Sequence, residues 1–137
     1  MFPDLMASSI FDEYEDETTD GIKREVRLIK LDDLADRFDL KKNLLLKIDV
    51  QGAELEVLEG AQKLINNCEI IILECSFFKF KKNLPEFFDI VYYMKTRGFI
   101  TYEIFDGCNR PLDNALAQKD ILFVKENGYF RKTHKWA

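Results

Sequence analysis

The chain has 137 residues, of which 47% are hydrophobic, and a formal net charge of −5. This length and composition predict one domain that buries about two-thirds of its unfolded surface. The acidic balance argues against a nucleic-acid partner, because phosphate binding normally needs a concentrated basic face.

The three cysteines are dispersed at Cys68, Cys75 and Cys108, and His134 is the only histidine. An odd number of cysteines without a CxxC pair favours a reducing compartment over a disulfide scaffold. No apolar run reaches the ~20 residues that span a bilayer, and the first residues lack the pattern of a signal peptide. We therefore expect a cytoplasmic protein with no membrane span and no metal site.

The sequence divides into three parts. Residues 1–25 read as a loop, because the acidic run Asp12–Glu17 is followed by turn-forming residues. We interpret this segment as solvated, with a lid over a substrate as the alternative. Residues 26–126 form the main domain, and residues 127–137 form a basic tail.

The first predicted strand extends over residues 26–31, and a short helix ending near Phe38 follows it. Asp32 or Asp33 can cap this helix. The next strand, Leu44–Ile48, is almost continuously apolar. That pattern is typical of a parallel strand covered on both faces.

A helix is predicted from Ala53 to Asn66, where apolar residues recur at helical spacing. Gly60 interrupts it at a cost of roughly 1 kcal/mol relative to alanine. Either the helix breaks at Gly60 or the glycine lets its backbone pack closely on the sheet, and we favour close packing. The strand Glu69–Glu74 then completes a β-α-β unit, whose crossover should be right-handed.

Pro85 is predicted to open a third helix that ends at Gly98. Two further strands, Phe99–Phe105 and Asp120–Lys125, are joined by a polar loop without an evident helix, so we predict an antiparallel pair. The residues of the third helix that we expect to face inward are Phe87, Phe88, Val91, Tyr92 and Met94.

The candidate catalytic and binding residues lie where the Leu44–Ile48 strand ends. Asp49 follows the strand directly, and ligands bind outside the carboxyl ends of strands in open α/β sheets. Asp49 is therefore a ligand-facing group or a general base, or else a cap of the following helix. Glu54, in the first turn of that helix, is a site residue or a complement to the helix dipole. Strand alternation places Lys47 on the face of Asp49, and we expect it to pair with Asp49 or Glu74.

Gly52 permits a tight turn and a close approach of the backbone to a ligand. Glu74 ends the neighbouring strand at the same edge of the sheet as Asp49. Carboxylates gathered there can accept a hydroxyl proton or hold a divalent ion. The absence of a nearby histidine in the sequence argues against the ion.

The run Lys47–Ala61, KIDVQGAELEVLEGA, is similar to the FkbM family of S-adenosylmethionine-dependent methyltransferases. This resemblance implies an α/β fold with a partial Rossmann-like class I methyltransferase sheet, mostly parallel, with a C-terminal antiparallel hairpin. Other segments of the chain resemble the family in the same order, namely Ala7–Ser9, Leu31–Leu34, Ile70–Glu74 and Asp120–Phe123.

The resemblance also implies a reaction and a site. A methyl group would pass from S-adenosylmethionine to a hydroxyl oxygen of a small molecule or glycan. Asp49 and Glu54 match the family positions expected to be catalytic, and Asp49, Gln51 and Gly52 those expected to bind the cofactor. Gln51 departs from the glutamate often found at its position, which removes a charge and argues against an acid–base role there.

The glycine-rich turn that holds the cofactor in such enzymes has no counterpart among the six dispersed glycines. We therefore expect the chain to correspond to the carboxyl-terminal part of a methyltransferase, to bind S-adenosylmethionine weakly or not at all, and to self-associate through an exposed edge of the Leu44–Ile48 strand. The alternatives are a non-catalytic α/β module that completes a sheet with another chain, and a domain for another nucleotide or sugar.

Overall fold

A computed structural model describes Ile10 and residues 24–137. Its strands are β1 Leu44–Ile48, β2 Cys68–Ser76, β3 Phe99–Asn109 and β4 Leu116–Lys125. They form one four-stranded sheet in the order β1-β2-β4-β3. The β1-β2 pair is parallel, whereas β2-β4 and β3-β4 are antiparallel. The predicted α/β class and the predicted antiparallel pair are confirmed, but the expectation of a mostly parallel sheet is wrong, because β4 inserts between β2 and β3.

The described part of the chain also contains three short α-helices: α1 Leu31–Arg37, α2 Glu54–Glu59 and α3 Phe87–Thr96. Two 3-10 turns lie at Leu64–Asn67 and Tyr129–Arg131. In the part of the chain that the structure describes, no helix has the length and apolar character to cross a membrane. The predicted acidic loop or lid lies outside the described residues.

The helix after β1 is shorter than predicted. It ends at Glu59, and the Gly60 amide closes the last turn by donating to the carbonyl of Glu56 at 3.1 Å. The preferred interpretation, an unbroken helix packed closely at Gly60, is therefore wrong, and the alternative break at Gly60 is confirmed. The end of α2 also contacts α1, because the carbonyl of Gly60 accepts a hydrogen bond from the Asp32 amide at 2.9 Å.

Asp32 caps a different helix from the one predicted. The N-cap of α1 is Lys30, without a capping side chain. The carboxylate of Asp32 instead accepts hydrogen bonds from the amides of Lys63 at 3.1 Å and Leu64 at 2.9 Å. It thereby satisfies backbone donors at the start of the 3-10 turn, which the break at Gly60 leaves without helical partners.

The strand predicted over residues 26–31 is not formed. Residues 24–30 have no regular structure, and Val26 and Leu28 are exposed. A strand needs a neighbour to receive its backbone hydrogen bonds. The segment pairs with none of the four strands, although the outer edge of β1 is open within residues 24–137.

One face of the sheet packs on the helices. On that face Ile71, Leu73, Ile121 and Phe123 are fully buried. The opposite face is only partly covered, and Leu45 in β1 is 59% exposed. The prediction that β1 is covered on both faces is therefore wrong, although its bounds are confirmed.

The inward stripe of α3 is also displaced from the prediction. The helix begins at Phe87 behind a capping box in which Glu86 and Asp89 each bind the backbone of the other. Ile90 and Met94 are buried, whereas Phe88 and Tyr92 are exposed, so their predicted inward orientation is wrong. They lie four residues apart on the outer side and stack on each other, with ring centroids 6.3 Å apart.

The contacts of Asp32 lead to a stability prediction. We expect Asp32→Ala to lower the free energy of unfolding by about 1–2 kcal/mol, because it leaves the Lys63 and Leu64 amides without their acceptor. Asp33→Ala, in the same turn of α1, is the matched control and should change stability by less than about 0.5 kcal/mol. Urea unfolding measures both, and equal effects of the two variants would contradict the assignment.

Candidate functional site

The site is built on the turn between β1 and α2. After Asp49 the chain turns through Gln51 and Gly52, both of which have left-handed backbone conformations with φ of 55° and 109°. Glycine adopts such a φ without steric cost, whereas a residue with a Cβ atom is strained by roughly 1 kcal/mol. The predicted role of Gly52 in a tight turn is thus confirmed.

The carboxylate of Glu54 holds this turn from inside. Glu54 is only 2% exposed. Its Oε1 atom accepts hydrogen bonds from the amides of Val50 at 3.3 Å and Gly52 at 3.1 Å. Burial raises the pKa of Glu54, and the hydrogen bonds from the backbone oppose that rise. The side chain therefore lies under the turn and fixes its shape.

Asp49 lies at the rim, with its side chain 43% exposed. It accepts from Lys47 Nζ at 3.3 Å and from Gln51 Nε2 at 3.4 Å. The N-cap of α2 is Ala53, which has no side-chain cap. The alternative reading of Asp49 as the helix cap is therefore wrong, and its carboxylate stays at the open carboxyl end of the parallel strand.

Lys47 forms ion pairs with two carboxylates. Its Nζ lies 3.3 Å from Asp49 Oδ2 and 3.1 Å from Asp120 Oδ2. The hydrogen bond to Asp120 is the main reason that the pKa of Lys47 is raised. The predicted pairing with Asp49 is confirmed, and Asp120 takes the position that was expected for Glu74.

Glu74 is joined to both sides of the site by amide side chains. Its Oε2 accepts from Gln51 Nε2 at 3.2 Å and from Gln118 Nε2 at 3.0 Å. Gln51 also donates to Asp49. A continuous hydrogen-bonded chain therefore extends from the turn after β1, across β2, to β4.

The pKa of Glu74 is raised to about 7. Partial burial is the largest cause, since it disfavours the charged carboxylate. The lysine at position 47 partly offsets the rise. The neighbouring carboxylates add to it through like-charge repulsion, and they are Asp49, Glu54 and Asp120.

Two members of this network, Gln118 and Asp120, were not identified from the sequence. Both lie on β4, where Asp120 is directly opposite Glu74 in the antiparallel register. The only local signal is that two polar side chains are spaced two residues apart on a strand face whose other residues are Leu116, Leu122 and Val124. Within residues 24–137, no three acidic, cysteine or histidine side chains are arranged to hold a metal ion.

A cleft lies at the other end of β1. It has a volume of about 670 Å³ beside Leu44, Leu45 and Ile70, and the C-terminal 3-10 turn forms its other wall. Lys125 and Lys132 also line it. The cleft is thus separate from the acidic rim around Asp49.

The chain matches a known protein family. The methyltransferase FkbM domain matches residues 4–101, which is more than half of the chain. The protein therefore belongs to the FkbM methyltransferase family. The match includes the whole turn from Asp49 to Glu54 and also Glu74. None of the curated proteins and none of the solved structures matches the chain.

The raised pKa of Glu74 predicts a pH dependence of stability. The folded state binds this proton more tightly than the unfolded state, in which the pKa is near its ordinary value of 4.5. The contribution of Glu74 to stability is therefore greatest below about pH 4.5 and is lost as the pH rises through about 7.

Glu74→Gln removes this titration, so the variant should gain stability relative to the wild type as the pH rises from about 5 to about 8. Urea unfolding at several pH values measures the difference. Glu103→Gln, at an exposed position in β3, is the control and should follow the wild type. A constant difference between Glu74→Gln and wild type across this range would refute the assignment.

Proposed function

We propose that the carboxyl rim of β1 and β2 serves the transfer of a methyl group from S-adenosylmethionine to a hydroxyl oxygen of a small molecule or glycan. The observation that carries this proposal is the family match, since it includes the strand, turn and helix that build the rim. We also propose that the β1-α2-β2 unit is part of a Rossmann-like sheet, in which ligands bind at this edge.

The charges at the rim suit the methyl donor. S-adenosylmethionine supplies a methyl group on a positively charged sulfur, together with ribose hydroxyls. Asp49 and Asp120 pair with the ammonium group of Lys47, and Glu74 adds a third carboxylate beside them, so the rim has more acidic groups than basic ones. We propose that Asp49, Gln51 and Gly52 contact the donor, because the turn presents both carboxylate and backbone groups there.

We further propose separate roles for the two acidic residues of the turn. Asp49 is exposed enough to reach a ligand, so it orients the acceptor hydroxyl or accepts its proton. Glu54 is a positioning residue, because its buried carboxylate holds the turn. Glu74, with a pKa of about 7, is a second group that can accept a proton near neutral pH.

The sequence offers no glycine-rich turn to cradle the rest of the donor. We therefore propose that this chain by itself holds S-adenosylmethionine weakly. The second candidate function is a non-catalytic module that completes a sheet with another chain. It is favoured by the outer edge of β1, which is unpaired within residues 24–137.

A titration with S-adenosylmethionine, followed by amide NMR shifts, separates the two functions. Methyl transfer at this rim predicts shifts centred on Asp49 to Ala53, with a dissociation constant of about 1 mM or weaker. Asp49→Asn should weaken binding roughly threefold to tenfold, since one carboxylate near the cation is lost. Asp33→Asn, at an exposed position in α1, is the control and should bind as the wild type does.

Three results would count against the proposal. Shifts centred on the cleft beside Leu45 would place the ligand elsewhere, and the absence of shifts would favour the non-catalytic module. Equal binding by wild type and Asp49→Asn would remove Asp49 from the donor site. Submicromolar binding by a monomer would contradict the expected weakness of the donor site.

A further inference from the structure

A segment that follows the last strand of the sheet combines aromatic and basic side chains. It comprises residues 129–136, with the sequence YFRKTHKW, and it begins with the 3-10 turn Tyr129–Arg131. The ring of Tyr129 is 67% exposed, Trp136 is fully exposed, and Phe130 is also accessible to solvent. Single exposed apolar side chains are common on protein surfaces, but several large ones in one short segment indicate an interaction surface.

The basic side chains of this segment keep their charge uncompensated. Lys132 and Lys135 are exposed. Within residues 24–137, neither of them nor Arg131 forms an ion pair with a carboxylate. Two carboxylates beside the segment, Glu69 and Glu126, each pair with a lysine of the sheet or of α3 instead. The segment therefore carries an excess of positive charge, although the chain as a whole is acidic.

This basic segment and the acidic rim lie at opposite edges of the sheet. Tyr129 and Lys132 line the cleft beside Leu44, where β1 begins. Asp49 follows the other end of the same strand. The charge of the protein is therefore polarised along β1. An anionic surface attracts the basic edge and repels the acidic rim, so it binds the molecule in one orientation.

We propose that residues 129–136 bind the surface of a phospholipid bilayer that carries anionic headgroups. Tryptophan and tyrosine are favoured between the headgroups and the acyl chains, because each combines an apolar ring with one polar group. Lysine and arginine beside them attract the negative headgroups. The contact is peripheral, and the acidic rim around Asp49 faces the aqueous phase.

The packing of the aromatic rings favours a lipid surface over a nucleic acid. Nucleic-acid bases stack on the open faces of aromatic rings. In this segment the ammonium group of Lys132 lies over the ring of Tyr129, 4.2 Å from its centroid. The ring of Phe130 packs at a steep angle against Tyr129 and Tyr102, with centroids 5.3 Å and 6.0 Å away. These contacts limit base stacking, whereas a position among lipid headgroups requires no free ring face.

The fluorescence of Trp136 tests this proposal directly, because it is the only tryptophan in the chain. Vesicles of phosphatidylcholine with about 30% phosphatidylserine should move its emission to shorter wavelength, since the indole leaves water. Vesicles of phosphatidylcholine alone should leave the emission unchanged. Raising the salt concentration from about 0.05 M to about 0.5 M should reverse the shift, because salt screens the attraction between lysines and headgroups.

Charge variants test whether this segment makes the contact. The double variant Lys132→Gln/Lys135→Gln should weaken vesicle binding about thirtyfold, because each basic side chain near an anionic surface contributes about fivefold. Lys81→Gln/Lys82→Gln is the matched control. It removes the same charge from the loop after β2, at the opposite edge of the sheet, and should bind as the wild type does. Sedimentation with the vesicles measures binding by all three proteins.

Several results would overturn the proposal. Anionic vesicles would leave the Trp136 emission unchanged if the segment did not bind lipid. An equal shift with neutral vesicles would show an apolar contact without charge recognition. Equal binding by the wild type and Lys132→Gln/Lys135→Gln would remove the segment from the contact, and equal weakening by the two double variants would show a general effect of charge. Circular dichroism will show whether each variant keeps the wild-type fold, which we expect because Lys132 and Lys135 are exposed.

Two further results would assign the segment to another partner and would also overturn the proposal. A shift of the Trp136 emission that grows with protein concentration, without vesicles, would indicate a second copy of the chain. Tighter binding to a single-stranded oligonucleotide than to the anionic vesicles would indicate a nucleic acid. None of these outcomes depends on S-adenosylmethionine, so they leave the proposed methyl transfer untouched.

Discussion

The buried carboxylate of Glu54 is the interaction on which the site depends. It accepts hydrogen bonds from the amides of Val50 and Gly52, which would otherwise have no hydrogen-bond partner beneath the turn. The turn requires left-handed conformations at two successive residues, a shape that only specific contacts can hold. Because Asp49 precedes this turn and Gln51 lies within it, the positions of both side chains follow from the contact made by Glu54.

The charges of the rim follow from how the strands are arranged. The parallel β1-β2 pair brings Asp49 and Glu74 to one edge, and β4 adds Asp120 beside Glu74. Lys47 and two glutamine side chains then connect carboxylates that would otherwise repel one another. Partial burial, together with this crowding, raises the pKa of Glu74. The crowding also gives the rim its negative character, which links the fold of this FkbM family member to the chemistry proposed for it.

Local patterns predicted those features that depend on neighbouring residues. The apolar run of β1, the turn at Gly52 and the ion pair of Lys47 with Asp49 were all predictable, because strand alternation and glycine conformation act over a few positions. The contribution of β4 was not, since no local pattern shows that this strand inserts beside β2 and brings Gln118 and Asp120 to the rim. The capping role of Asp32 was misjudged for a related reason, because its partners Lys63 and Leu64 lie about thirty residues away.

The most direct test of this account is amide hydrogen exchange at Val50 and Gly52 in the wild-type protein. If the carboxylate of Glu54 holds both amides under the turn, they should exchange far more slowly than unprotected peptide groups, as amides of the neighbouring strand do. Exchange of both amides at the rate of an open loop would contradict the account, because the turn would then lack the contact that positions Asp49 and Gln51.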